Sequence, residues 1–134
     1  MNFFRKGLLP TYCFVRLAAS YRTEITIKMS GVKDLVDSKI AGKKVMVFSK
    51  SSCPYCAKAK AVFKKYIGDI LSADDYEVME IETNSKCGEI QDHLYSITGG
   101  RTVPRVFING KFLGGGDETV AADRTGQLKS LLQA

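Results

Sequence analysis

The chain has 134 residues, 45% hydrophobic and 25% charged, with four cysteines and no tryptophan. That suits one globular domain with a real core. Four cysteines in so regular an apolar pattern do not make a disulfide scaffold, which points to a reducing compartment. No run approaches the ~20 apolar residues of a membrane span. The net charge of +6 is unevenly placed: residues 1–29 hold five basic residues and one acid, Glu24, while the remaining fifteen basic and thirteen acidic residues nearly balance. The excess therefore belongs mostly to the leader and gives no sign of a nucleic-acid surface.

The first 23 residues contain no acid, and Phe3, Phe4, Leu8, Leu9, Tyr12, Phe14 and Leu17 interleave with arginine. This is the composition of a mitochondrial transit peptide; Arg16 interrupts the apolar stretch that a secretory signal needs. Residues 1–29 are therefore read as a transit peptide or a disordered leader, and residues 30–134 as the domain. Met29 could start a shorter cytosolic form, so the expected location is the mitochondrial matrix, the cytosol or both.

Val32 to Ile40 has helical apolar spacing and is expected to form a peripheral helix. Val45 to Phe48 is apolar throughout, as in a strand buried on both faces. The next helix starts at Pro54 and turns Cys56, Ala59, Val62, Phe63, Tyr66 and Ile67 inward. Its lysines at 58, 60, 64 and 65 read as a solvated face, and Gly68 is the expected terminator. Tyr76 to Glu82 alternates as a strand, with Val78 and Ile81 facing the core. A helix follows over Cys87 to Thr98, with Ile90, His93, Leu94 and Ile97 on one side. Val106–Ile108 and Lys111–Leu113 flank Asn109-Gly110, the strongest short hairpin signal. After Gly114-Gly115-Gly116, Asp117-Glu118 opens a helical tail with a break near Gly126. The order αβαβαββα, a βαβ unit followed by a hairpin and a closing helix, is an α/β arrangement of the thioredoxin-like kind: a four-stranded mixed sheet flanked by helices.

Cys53-Pro54-Tyr55-Cys56 lies at the strand-to-helix junction. Pro54 fits the first helical position, where its missing N–H costs nothing. Cys53 then sits at the helix N-terminus, where the macrodipole and free N–H groups favour a thiolate. Lys50 can add positive charge. Cys56 falls one turn on, on the same face, at a Cα separation of roughly 5–6 Å that permits a disulfide. Two thiols so placed form a redox pair, one nucleophile and one resolver. Half of a zinc site is the alternative, but two further ligands would have to come from Cys13, Cys87 and His93, which have no recognisable spacing.

Further motifs accompany the dithiol. Lys50-Ser51-Ser52-Cys53-Pro54-Tyr55-Cys56, Glu89-Ile90-Gln91-Asp92, Thr102-Val103-Pro104 and Gly114-Gly115-Gly116-Asp117 occur in order, and together they resemble the dithiol glutaredoxins over residues 31–134. Thioredoxins usually carry Gly-Pro between their cysteines instead. The resemblance implies an enzyme that uses glutathione as co-substrate, with no metal, to reduce protein–glutathione mixed disulfides through Cys53 and protein disulfides through Cys53 and Cys56. It implies that Lys50 and Arg101 meet the glycine carboxylate of glutathione, with Gln91 nearby. Tyr55 would line the groove, Thr102 and Val103 would present backbone to the cysteinyl segment, and Pro104 would be cis. Gly116 and Asp117 would hold the γ-glutamyl end. The chemistry fits, since glutathione has two carboxylates and one ammonium, and cations, a helix N-terminus and one carboxylate complement them. Gly116 stands where relatives often carry a side chain, which leaves only its N–H to offer.

The expected partners are glutathione and glutathionylated or disulfide-containing proteins, with no nucleic acid and no membrane, and the chain is expected to be a monomer. Among relatives, some share an iron–sulfur cluster between two chains through the first cysteine and glutathione; Pro54 argues against that reading here. His93 reads as packing and Asp117 as a helix cap. Cys87 reads as an inert loop thiol, and Cys13 belongs to the leader.

Overall fold

The computed structural model describes residues 31–134. The leader, with Cys13 and Met29, lies outside the described residues. The elements run α1 (31–42), β1 (Val45–Ser49), α2 (Pro54–Lys64), β2 (Tyr76–Glu80), α3 (Cys87–Thr98), β3 (Arg105–Ile108), β4 (Lys111–Gly114), α4 (Gly116–Thr125) and α5 (Gln127–Gln133). The four strands form one sheet in the order β2-β1-β3-β4. β1 pairs parallel with β2 and antiparallel with β3, and β3 pairs antiparallel with β4. The expected mixed sheet flanked by helices is what forms.

β1 is central, and all five of its residues are buried. Alternation divides them between two cores. Val45 and Val47 join Ala59 and Phe63 of α2, Ala122 of α4 and Leu128 of α5 on one face. Met46 and Phe48 join Val36 and Ile40 of α1, Ile90 and Leu94 of α3, and Phe107 on the other. Phe48 and Phe107 meet edge to face with centroids 5.8 Å apart, a favoured aromatic geometry. A strand read as apolar at every position is thus one that serves two layers of helix.

Several sequence readings need correction. α1 is not peripheral: Val36 is fully buried and Ile40 nearly so, against the second face of the sheet. The strand from Tyr76 stops at Glu80, and Ile81–Thr83 is a 3-10 turn, although Ile81 is buried as expected. α2 ends at Lys64, three residues before the Ile67–Leu71 bridge and four before Gly68. Ile97 is 44% exposed, since it sits at the open end of α3. Lys60 and Lys65 are not simply solvated, because each pairs with an acid on another element, Glu80 and Asp123. His93 does serve packing, and it ties α3 to α1 through Asp37 at 2.8 Å.

The hairpin turn is as the sequence foretold. Asn109 and Gly110 have φ of 53° and 81°, the positive pair a two-residue turn of this hand requires. Asn109 also anchors the turn: its N–H donates to the Lys44 carbonyl and its side-chain amide to that of Leu131. The break near Gly126 is real and divides the tail into α4 and α5.

Candidate active site

The site forms where β1 runs into α2. Ser49 ends the strand, and Lys50-Ser51-Ser52 makes the connection. The Cys53 N–H closes this turn on the Lys50 carbonyl at 3.1 Å. Ser51 fastens it to the turn after β2, donating from both its N–H (2.5 Å) and its hydroxyl (3.0 Å) to Glu82 Oε2. Cys53 is the N-cap of α2 and Pro54 its first residue. In the N-cap position a side chain accepts from an otherwise unpartnered N–H. Here that acceptor is sulfur: the Cys56 N–H donates to Cys53 Sγ at 3.4 Å. As a thiol, Cys53 can donate in turn to the Val103 carbonyl, 3.6 Å away.

The two sulfurs are driven apart in acidity. For Cys53, partial burial is the largest single influence and pushes the thiol up. It is outweighed by donation from the Cys56 thiol, by the backbone N–H groups of Cys56 and Tyr55, and by the positive charge of Lys60, so the net direction is down. For Cys56, which is fully buried, burial pushes the thiol up and its bond to Cys53 adds to that. A helix start thus favours the thiolate at one sulfur and the thiol at the next. Lys60, held 2.8 Å from Glu80, adds a smaller downward influence on Cys53 that the sequence reading did not single out.

Beside Cys53 opens a cleft of about 360 Å³. Its lining brings together Tyr55, Thr102, Val103, Pro104, Gly116 and Asp117, and adds Arg105, Gly115 and Glu118. The Val103–Pro104 peptide is cis. Tyr55 is 51% exposed, with Lys58 Nζ 5.0 Å above its ring. Lys50, Gln91 and Arg101 do not line the cleft. Gln91 and Arg101 form a separate group at the head of α3, where the Gln91 amide donates to the Arg101 carbonyl at 2.9 Å. The Arg101 guanidinium lies 3.0 Å from Asp92 and also donates to the Gly88 carbonyl.

Asp117 is not the cap the sequence reading made it. The N-cap of α4 is Gly115, and Glu118 reaches back to accept from the Gly115 N–H at 2.6 Å, leaving Asp117 exposed in the first turn. The structure also explains the glycine at 116. A Cβ there would come within 2.6 Å of the Tyr55 carbonyl oxygen, so glycine lets α4 approach the start of α2. Arg105 went unrecognised because it reads as an ordinary strand residue. It braces the cleft wall by donating to the Thr102 carbonyl (2.7 Å) and hydroxyl (2.8 Å). Its place directly after Thr102-Val103-Pro104 was the available signal.

A second concavity, of about 350 Å³, lies at the hairpin end of the sheet and carries no thiol; Ile97, Phe107 and Phe112 line it. Among the described residues no three His, Cys, Asp or Glu side chains gather as a zinc site would require.

Comparison with known proteins gives the same reading. The family model described as Glutaredoxin matches residues 45–113. Glutaredoxin-C4 of Arabidopsis thaliana is 48% identical over 99 residues, 74% of this chain and 69% of that protein. The crystal structure of oxidized glutaredoxin 2 from Chlamydomonas reinhardtii superposes with a TM-score of 0.70 at 47% identity, covering 78% of this chain and 92% of that one. A buckwheat glutaredoxin–glutathione complex superposes with a TM-score of 0.68 at 33% identity, covering 81% and 92%. With a family model over half of its length and a relative close to half identical, the chain belongs to the glutaredoxin family of glutathione-dependent thiol–disulfide oxidoreductases.

Proposed function

We propose that Cys53 is the nucleophile, that Cys56 is the resolver, and that the adjoining cleft seats glutathione. The observation that carries this reading is geometric: Cys53 caps α2 with its sulfur 3.6 Å from the carbonyl of Val103, a residue of the cleft wall, while Cys56 lies buried one helical turn on. On a glutathionylated protein, the Cys53 thiolate attacks the glutathione sulfur. The protein sulfur leaves as a thiolate and takes up a proton. A second glutathione thiolate then attacks the glutathione held on Cys53, releasing oxidised glutathione and the Cys53 thiolate. On a protein disulfide, Cys53 forms a mixed disulfide with one substrate sulfur and Cys56 displaces it. A lowered thiol pKa helps in both directions, since it raises the share of Cys53 present as thiolate and makes Cys53 the better leaving group.

The cleft suits the ligand chemically. Thr102 and Val103 offer backbone to an extended tripeptide, and the α4 N-terminus at Gly116-Asp117 offers N–H groups to a carboxylate, with the Asp117 carboxylate for an ammonium. Lys50, Gln91 and Arg101 supply the other carboxylate site in this reading. Residues 30–134 are the working domain. The basic, acid-poor leader is proposed to direct the chain to mitochondria, with initiation at Met29 leaving it in the cytosol.

A glutathione-coupled assay with two substrates tests the roles. Cys53→Ser should abolish reduction of both a glutathionylated protein and a protein disulfide. Cys56→Ser should keep the first and lose most of the second. Turnover in Cys53→Ser, or loss of both activities in a folded Cys56→Ser, contradicts the assignment.

A further inference from the structure

The parallel ladder of β1 and β2 ends at the pair Ser49 and Glu80. Two residues further along each segment, the two meet once more. There Glu82 Oε2 accepts from the N–H of Ser51 at 2.5 Å and from its hydroxyl at 3.0 Å. Both residues are exposed, so burial does not force the pairing. What matters is the pair of segments it joins. Ser51 follows Lys50 on the connection from β1 to α2. Glu82 stands in the 3-10 turn Ile81–Thr83, and the buried Ile81 shares a core with Ile90 and Leu94 of α3. The turn leads into α3 through Asn84, whose carbonyl accepts from the Cys87 N–H at 3.1 Å and whose side chain accepts from the Lys86 N–H at 2.8 Å. Gln91 and Arg101 form their group at the head of that helix. Among the described residues, the two bonds to Glu82 are the only side-chain hydrogen bonds that tie the 50–52 connection to residues 81–101.

We propose that Glu82 is a positioning residue for glutathione recognition: by holding Ser51 it sets where Lys50 stands relative to Gln91 and Arg101, and so keeps the three in reach of one carboxylate. This rests on the carboxylate site given to those three residues above. The bonds are of the stronger kind, since a carboxylate accepts both, and one of them comes from the backbone itself. By charge alone an acid next to such a site would weaken it, because like charges repel. The contribution of Glu82 is therefore one of placement, opposite in sign to its electrostatic effect. The nucleophile is held independently. The Cys53 N–H closes its turn on the Lys50 carbonyl, and the Cys56 N–H donates to Cys53 Sγ, with no part played by Glu82. Loosening Glu82 should thus disturb the use of glutathione while the thiol keeps its reactivity.

The test uses the full chain, a glutathionylated protein as substrate and a series of glutathione concentrations. A second readout is the rate at which iodoacetamide, an uncharged probe, alkylates Cys53. Glu82→Ala should raise the glutathione concentration for half-maximal activity by about three- to tenfold, the effect of losing a hydrogen bond, with the maximal rate and the alkylation rate unchanged. Glu82→Gln should stay at or below the native value, because its carboxamide oxygen still accepts both bonds and its negative charge is gone. In a Lys50→Ala background, Glu82→Ala should add nothing, since two residues that act through one contact are not additive. A normal glutathione dependence in Glu82→Ala would overturn the proposal. So would a rise of equal size in Glu82→Gln, a full additive rise on Lys50→Ala, or a matching loss of Cys53 alkylation. If Glu82→Ala does not fold, Ser51→Ala decides: it removes one of the two bonds and should raise the same concentration by about two- to threefold, and no rise would overturn the proposal. A normal glutathione dependence in Lys50→Ala alone would instead overturn the carboxylate site, and this proposal with it.

Discussion

Cys53 and Cys56 differ by three positions and are shifted in opposite directions because each meets a different part of the same helix start. Cys53 precedes the first turn and collects N–H donors. Cys56 lies within it, has its own N–H spent on Cys53, and is sealed from solvent. That difference was legible in the sequence, since the Cys-Pro-Tyr-Cys run after an apolar strand dictates where the helix begins. The role of Lys60 was not. Its partner Glu80 is on β2, and nothing local in the lysine-rich face of α2 marks which lysine will find an acid across the fold. The carboxylate clamp is tested at this scale. Lys50→Ala and Arg101→Ala should each raise the glutathione concentration needed for half-maximal activity by about ten- to a hundredfold, as expected for the loss of a charge-assisted contact worth about 1.5–3 kcal/mol. A normal glutathione dependence in both would remove them from the site. Arg101 is the sharper case, because Asp92 and the Gly88 carbonyl already occupy its guanidinium.

At the scale of elements, the cleft exists because α2 and α4 start close together, with Gly116 against the Tyr55 backbone. Their far ends are tied as well: Asp123 of α4 accepts from Lys65 and from the Tyr66 hydroxyl just beyond α2. Lys65 is the largest influence on the Asp123 carboxyl, followed by Tyr66, and together they hold it below the usual range. A depressed carboxyl stabilises the fold above its unfolded pKa, and that stabilisation is lost as pH falls through the folded value. Asp123→Asn should therefore cost about 1–3 kcal/mol at pH 7, and the gap to the native chain should narrow in acid. Denaturant unfolding at pH 7 and near pH 3 checks this; an equal gap at both would show that the charge is not what matters. Among the elements, the hairpin was legible because Asn109-Gly110 carries its own geometry. The end of β2 was not: the alternation runs on through Ile81, while the backbone turns after Glu80 and Glu82 goes to Ser51. Nor was the covering role of α1, because an apolar stripe shows that a helix packs and not where.

Across the described residues, two helical layers enclose one mixed sheet, and every residue assigned a role in thiol chemistry lies between 50 and 118. The order of strands and the family motifs made this architecture readable, and Gly126 marked where the closing helix divides; the pairing of Lys60 with Glu80 came only with the fold. If residues 1–29 are a targeting leader, their removal should leave thiol transfer unchanged, and their fusion to a reporter should carry it into mitochondria. A diffuse reporter would remove the targeting role, and a truncated chain that does not fold would make the leader part of the domain. The claim that Cys53 alone begins the reaction has a more direct test. The Cys56→Ser full chain is mixed with a glutathionylated protein, quenched with acid, and digested for mass spectrometry. The account predicts glutathione on the peptide carrying Cys53; an adduct found instead on Cys87 or Cys13, with Cys53 unmodified, would contradict it.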